Sequence, residues 1–356
     1  MDFSLFYFAN DSRASEANQY ELLLEGARFA DRNGFAAVWT PERHFHPFGG
    51  VYPNPSVTGA AVAAITEHVR IRAGSVVAPL HHPLRIAEEW AVVDNLSGGR
   101  VGLSFASGWH AADFVLRPEN YESRKEVLLR HLDQVRRLWR GERIPLVDGV
   151  GTERDVAIFP RPRQLELPTW ITSAGSIETF RGAGRAGAGL LTHLLGQDVA
   201  DLAEKIAAYR TAVAERPDAD GWPGHVVVMV HSFLGDDEEE VREVVREPLC
   251  AYLRSSLGLL LGAQVNGARR IDPAELAEED VEFMVSRAFE RYFDDGGLLG
   301  TVPKAERVVA RLREMGVDEV ACLIDFGLPT KTVLDGLERL DRLRELSAVD
   351  RIRPTN

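Results

Sequence analysis

Short apolar runs with strand-like spacing alternate along the chain with segments whose apolar residues recur every three or four positions. Residues 2–9, 36–40, 69–79, 101–107, 169–172, 189–193, 226–234 and 319–326 read as strands. Helical periodicity covers 19–33, 56–67, 83–96, 123–140, 177–186, 199–215, 236–261 and 304–315, and a closing helix runs to 346. The stops are specific: Gly34 follows the face shared by Leu23, Ala27 and Ala30, and Ser97, Gly98 and Gly99 end the helix that Pro83 begins. Eight strands, each followed by a helix, predict an α/β fold of the (β/α)8 TIM-barrel type, organised as one domain over 1–346 with a tail at 347–356. Two interruptions read as insertions: a Gly- and Pro-rich hairpin at about 141–166, and a polar surface excursion at about 262–300 after the seventh strand. A doubly wound open sheet fits less well, because residues 10–15, where its phosphate loop would lie, contain no glycine.

Charge narrows the choice of partners. The 356 residues include 41 basic and 54 acidic side chains, a net of -13, which argues against nucleic-acid binding. Cys250 and Cys322 fall within apparent helix and strand and read as buried thiols rather than a disulfide framework. There is no run of 18 apolar residues and no signal-peptide pattern, so the expected location is cytoplasmic, without a membrane partner.

A barrel places its chemistry at the carboxyl ends of its strands. The loop after the second strand, WTPERHFHPFGGVYPNP at 39–55, is too long and too rich in titratable groups to be a simple connection, with Glu42, Arg43, His44 and His46 in close succession. His81 and His82 follow the third strand, where one of them is expected to orient the turn, with a catalytic base as the alternative role. After the fourth, Ser107 and Gly108 would offer little bulk to a flat ring, with Trp109 and His110 as a wall; the alternative is an ordinary glycine turn with a packed Trp. The turn TSAGS, 172–176, joins a strand to a helix N-terminus, where free N–H groups favour a phosphate; Ser176 would alternatively be an ordinary N-cap. His231 reads as a core histidine. A metal-hydrolase arrangement of His44, His46, His193 and Asp325 has the wrong spacing, because its H-x-H pair belongs on the first strand.

The segments PERHFHPFGGVYPNPS (41–56), APLHHPLRIAEEWAVVDNLSGGRVGLSFASGWHAADF (78–114), ITSAGS (171–176) and GTVPKAERVVARLREMGVDEV (300–320) resemble the luciferase-like flavin-dependent monooxygenases. The ERHFH, PNP and SGWH elements are similar, more narrowly, to the branch encoded beside polyketide and nonribosomal-peptide assembly lines.

The resemblance implies an enzyme that takes reduced FMN from a separate flavin reductase and uses O2 to oxygenate an organic substrate, free or tethered to a carrier protein, by hydroxylation or Baeyer–Villiger insertion. It also implies a homodimer and a mobile lid at the second insertion. Carried over by position, Gly74 and Ser75 form a bulge beneath the flavin ring, often with a cis peptide in the family, while Ser107 and Gly108 border the ring. Ser173, Gly175 and Ser176 hold the phosphate, and Thr192 lines the site. His44 is the expected acid or base, with His110 assisting and Arg43 as an electrostatic anchor.

Two positions depart from the family pattern. Arg43 stands where relatives carry the first of two adjacent histidines, and Ser107 where they carry a phosphate-binding arginine, leaving Arg181 or Arg185 as candidate cations. A deazaflavin-dependent oxidoreductase and a noncatalytic flavin-binding subunit remain alternative readings.

Overall fold

The computed structural model describes residues 1–8, 18–173, 175–195, 197, 199–219, 221–262 and 276–349. Its strands are β1 (Asp2–Phe6), β2 (Ala37–Thr40), β3 (Arg70–Val77), β4 (Val101–Ala106), β5 (Ile144–Val147), β6 (Glu153–Val156), β7 (Thr169–Thr172), β8 (Gly189–His193), β9 (Val226–Gly235), β10 (Leu298–Thr301) and β11 (Glu319–Leu323). The helices are α1 (Glu21–Arg32), α2 (Pro55–Ala63), α3 (Pro83–Ser97), α4 (Arg124–Arg140), α5 (Ile177–Arg185), α6 (Val199–Ala214), α7 (Glu238–Gly262), α8 (Glu278–Arg291), α9 (Val302–Glu314) and α10 (Thr330–Val349).

Parallel pairing runs β1-β2-β3-β4-β7-β8-β9-β11 and returns from β11 to β1, which closes an eight-stranded barrel. Each strand read from sequence as part of the barrel is present, although the first and last stop earlier than their apolar runs. The hairpin insertion is the antiparallel pair β5–β6. The excursion at 262–300 contains more structure than its polarity suggests, with residues 263–275 outside the described set. Phe289, Tyr292 and Phe293 are buried, and β10 pairs in parallel with the end of β9, from Leu298↔Ser232 to Thr301↔Gly235. β9 therefore overshoots the barrel rim and carries an extra strand there.

The helix ends follow local chemistry. Asn54 caps α2 by accepting from the N–H groups of Ser56 and Val57, with Pro55 at the first helical position. Gly98 ends α3 at φ 75°, a left-handed conformation that costs glycine little. No helix among the described residues is long and apolar enough to cross a membrane.

The amino end of the barrel is closed by a buried polar network. Arg72 meets Glu319 at 2.7 Å and lies between the rings of Trp39 and Trp170, 4.9 and 4.6 Å from their centroids. Ser4 Oγ and Trp39 Nε1 also donate to Glu319 Oε1, at 2.6 and 3.0 Å. Burial alone would raise the Glu319 carboxyl; the charges of Arg72 and His225 and the hydrogen bonds from Ser4 and Arg72 outweigh it and hold the group below the usual carboxylate range.

Candidate active site

The loop between β2 and α2 folds inward. Phe48 and Tyr52 are buried, Phe48 packs edge-on against Tyr252 at 4.8 Å, and Tyr52 donates from its hydroxyl to Asp325 Oδ2 at 3.2 Å. The Arg43 N–H donates to the Tyr52 carbonyl at 3.0 Å, so the loop also closes on itself. Burial of its aromatic rings against Tyr7, Phe8 and Tyr252 of α7 accounts for the residues that charge and length alone leave unexplained.

Held this way, the loop presents Glu42 as the centre of a relay. The Glu42 carboxylate is fully enclosed; its Oε1 lies 2.8 Å from His44 Nε2 and 2.5 Å from His81 Nε2, and its Oε2 accepts from the Val77 N–H at 2.8 Å. Burial would raise this carboxyl, but hydrogen bonds from both imidazoles, the His81 charge and the Val77 N–H pull it below its ordinary range. Burial would lower His81; its hydrogen bond to Glu42 and the charges of Glu42 and Glu89 raise it instead. The three ligand-type atoms lie within 4.8 Å of one another, a spacing that also suits a metal ion. His82 has the other expected role, accepting from the Leu84 N–H as the cap of α3.

A pH dependence follows. The Glu42 contribution to stability is present above its unfolded pKa and is lost as pH falls through the depressed folded value. The His81 contribution is full below its unfolded pKa and is lost as pH rises through the raised folded value. Thermal denaturation across pH should therefore show a loss as pH rises above the ordinary histidine value that His81→Gln removes. An unchanged alkaline limb in that variant would contradict the coupling.

Arg43 has a partner that sequence reading missed. Its Nη1 lies 2.5 Å from both Asp113 carboxylate oxygens, and both side chains are buried. His110 Nδ1 is 3.6 Å from the same carboxylate, so Asp113 brings Arg43 and His110 into one cluster. The Arg43 charge is thus already matched, which weakens its expected role as an anchor for a substrate anion. Arg43 Nε and Nη2, His110 Nδ1 and His231 Nε2 are buried without hydrogen-bond partners among the described residues. Such atoms mark where a bound polar molecule would complete the structure. His231 itself is a core histidine, edge-on to Tyr252 at 4.7 Å and pushed down to about 3 by burial and by His193.

The residues expected beneath the ring lie at an irregularity of β3. The Gly74–Ser75 peptide is cis, and the β3–β4 register shifts between Gly74 and Val76. Ser75 Oγ hydrogen-bonds Thr172 Oγ1, which also lies 2.6 Å from Ser104 Oγ, so β3, β4 and β7 are tied together at this level. A Cβ on Gly74 would stand 2.7 Å from Phe6 and 3.1 Å from Trp39, both buried. Gly74→Ala should therefore cost about 1–3 kcal/mol in urea denaturation through overpacking, and a variant as stable as the parent would contradict the contact. Gly108 has φ 75°, and a Cβ there would press on Phe114 and Val77; Ser107 beside it is half-buried.

The expected phosphate turn is adjacent, after β7. Gly175 has open space where a Cβ would stand. Ser176 occupies the N-cap position of α5 without making a side-chain cap, and its carbonyl accepts from the Thr179 N–H at 2.9 Å, so the N–H groups at the start of the helix are those of Ile177 and Glu178. Ser173 is buried and spends its N–H on the Leu191 carbonyl. Thr192 on β8 is buried and accepts from Gln197 Nε2 at 3.2 Å. Of the two candidate cations, Arg181 is engaged by Glu178 at 2.5 Å, and Arg185 is excluded from a role at this turn because it lies at the opposite end of α5 and faces the amino end of the barrel. Cis bulge, glycine-lined approach and free helix terminus together form a cradle that suits a phosphorylated planar cofactor.

The closed parallel barrel carries the Glu42, His44 and His81 cluster and the turn before α5 on its carboxyl rim, the face on which barrel enzymes place their chemistry. The chain belongs to the luciferase-like monooxygenase family, whose model matches residues 1–319. It is 25% identical over 356 residues to the oxygenase component of the flavin-dependent trigonelline monooxygenase of Acinetobacter baylyi, covering 96% of this chain and 93% of that protein. It is 27% identical over 307 residues to the FMNH2-dependent dimethylsulfone monooxygenase of Pseudomonas putida, covering 82% and 79%. Among solved structures, monooxygenase RslO1 from Streptomyces bottropensis superposes with a TM-score of 0.77 at 22% identity, covering 96% and 98% of the two chains.

Proposed function

We propose that this protein is the oxygenase component of a two-component flavin monooxygenase, receiving reduced FMN from a separate reductase and using O2 to oxygenate an organic substrate. The observation that carries the reading is the juxtaposition, on one rim, of the Gly74–Ser75 bulge with the Glu42, His44 and His81 relay through Val77. Reduced flavin, when bound, supplies the two electrons that convert one oxygen atom of O2 to water while the other enters the substrate.

In this reading Gly74 and Ser75 underlie the ring, and Ser107 and Gly108 leave room at its edge. The hydroxyls of Ser173 and Ser176, with the close approach that Gly175 permits, hold the phosphate. Thr192 is the wall from β8. Glu42 fixes His44 so that its proton can be given or taken at the reacting edge, and Asp113 keeps Arg43 and His110 in place beside it. The finer assignment is a carrier-tethered acyl or aminoacyl substrate of secondary metabolism, handled by a homodimer. The substrate class rests on the sequence resemblance of the ERHFH, PNP and SGWH elements, and the homodimer on the resemblance to the family.

Titration with FMN, followed by turnover with a flavin reductase and NADH, tests the class. Absence of both FMN binding and oxygen-dependent product formation across candidate substrates would reject it. His44→Asn and His110→Asn, made singly, test the roles, and full oxygen transfer by both variants would remove them.

A further inference from the structure

At the opposite end of the barrel is a cavity of about 930 Å³ that the rim chemistry does not use. Its walls are the amino ends of β3, β7 and β8, the residue before β9, and the carboxyl ends of α4, α5 and α6. Six arginines line it: Arg70, Arg72, Arg136, Arg140, Arg185 and Arg216. Such a concentration stands out in a chain of net charge -13.

Local pairing accounts for only part of it. Glu166 and Asp218 are the carboxylates of the wall, paired with Arg140 and Arg216 at 2.8 Å each, and Glu319 is paired with Arg72 beneath it. Arg136 caps the end of α5, donating to the Ala186 and Gly187 carbonyls at 2.6 and 3.0 Å. Burial and the charges of Arg140 and Arg216 pull its guanidinium down to about 10. Arg70 is exposed with no carboxylate partner among the described residues, and Arg185 is 3.9 Å from Glu178. Three helix carboxyl ends each contribute about half a negative charge. Set against the six guanidinium groups, the three carboxylates and the three helix ends leave about 1.5 positive charges uncompensated in a concave site.

We infer that this cavity binds an organic diphosphate, such as a nucleoside diphosphate, with its phosphoryl groups among the arginines. The terminal phosphoryl group carries about 1.5 to 2 negative charges near neutral pH, which matches the surplus, and the single charge of the inner one is met by Arg140 and Arg216, whose present partners Glu166 and Asp218 are exposed carboxylates. Guanidinium forks match phosphoryl oxygens in geometry. The volume leaves room for an organic group, and Trp222, partly exposed at the cavity wall, offers it an aromatic face.

ADP is the probe, with adenosine as its uncharged control, read by calorimetry and by indole fluorescence on the full chain. ADP should bind saturably and more weakly as salt rises, and adenosine should not bind. Arg70→Ser combined with Arg185→Ser removes two exposed guanidinium groups outside the buried network and should weaken ADP at least about tenfold, with FMN binding unchanged. Saturating FMN should leave ADP binding intact. No ADP binding, equal binding of adenosine, equal affinity in the double variant, or displacement of ADP by FMN would each overturn the inference.

Discussion

Glu42→Gln should reduce oxygen transfer by about 100-fold to 10,000-fold, the range in which a positioned acid or base contributes, while the protein stays folded. The amide keeps the shape of the carboxylate but removes the negative charge shared by His44 and His81. Glutamine also has one acceptor oxygen where Glu42 has two, and these now serve two imidazoles and the Val77 N–H. At least one of the three contacts must break. The loss should appear in kcat rather than in KM, and the pH profile should change shape, because His81 is no longer raised by an adjacent carboxylate. Stopped-flow and steady-state kinetics across pH check this. A variant with parental kcat and an unchanged profile would reduce Glu42 to a structural residue of the loop.

The largest stability effect is expected at the other end of the barrel. Glu319→Ala should destabilise the fold by about 3–5 kcal/mol, because it leaves Arg72 buried and unpaired. The Arg72 guanidinium is held between two indole rings, and Ser4 and Trp39 also donate to the lost carboxylate. Removing both charges together, as Arg72→Met with Glu319→Leu, should recover much of the loss, since an apolar pair avoids the cost of burying ions. Urea denaturation of the single and double variants measures the difference. Equal stability of Glu319→Ala and the parent would show that the network contributes nothing net.

These two residues illustrate why patterning reveals some features and not others. Glu319 opens the apolar run read as the eighth strand, and Arg72 interrupts the third, so on periodicity alone both look like ordinary polar interruptions. They are buried partners because closing the barrel brings β11 and β3 within reach across its interior, a contact 247 residues apart in sequence.

The succession of strands and helices was legible from local chemistry: alternation of apolar runs with helical periodicity, Pro83 at a helix start, and glycines at helix ends. So was the gathering of titratable groups on the carboxyl rim, because parallel strands crossing over through helices all point the same way. The Gly74–Ser75 bulge and the TSAGS turn were legible through resemblance, each lying within a contiguous stretch. Tertiary structure alone decided which groups meet. Glu42 was visible in the loop but gained meaning only when β3 carried His81 and Val77 beside it, and Asp113 became the partner of Arg43 across 70 residues. The polar excursion at 262–300 likewise proved to hold buried rings and a strand, because its apolar residues are satisfied against the end of β9 rather than along their own segment. Sequence periodicity records which face of an element turns inward; it does not record which inward-facing groups from distant strands come within hydrogen-bonding distance once the barrel closes.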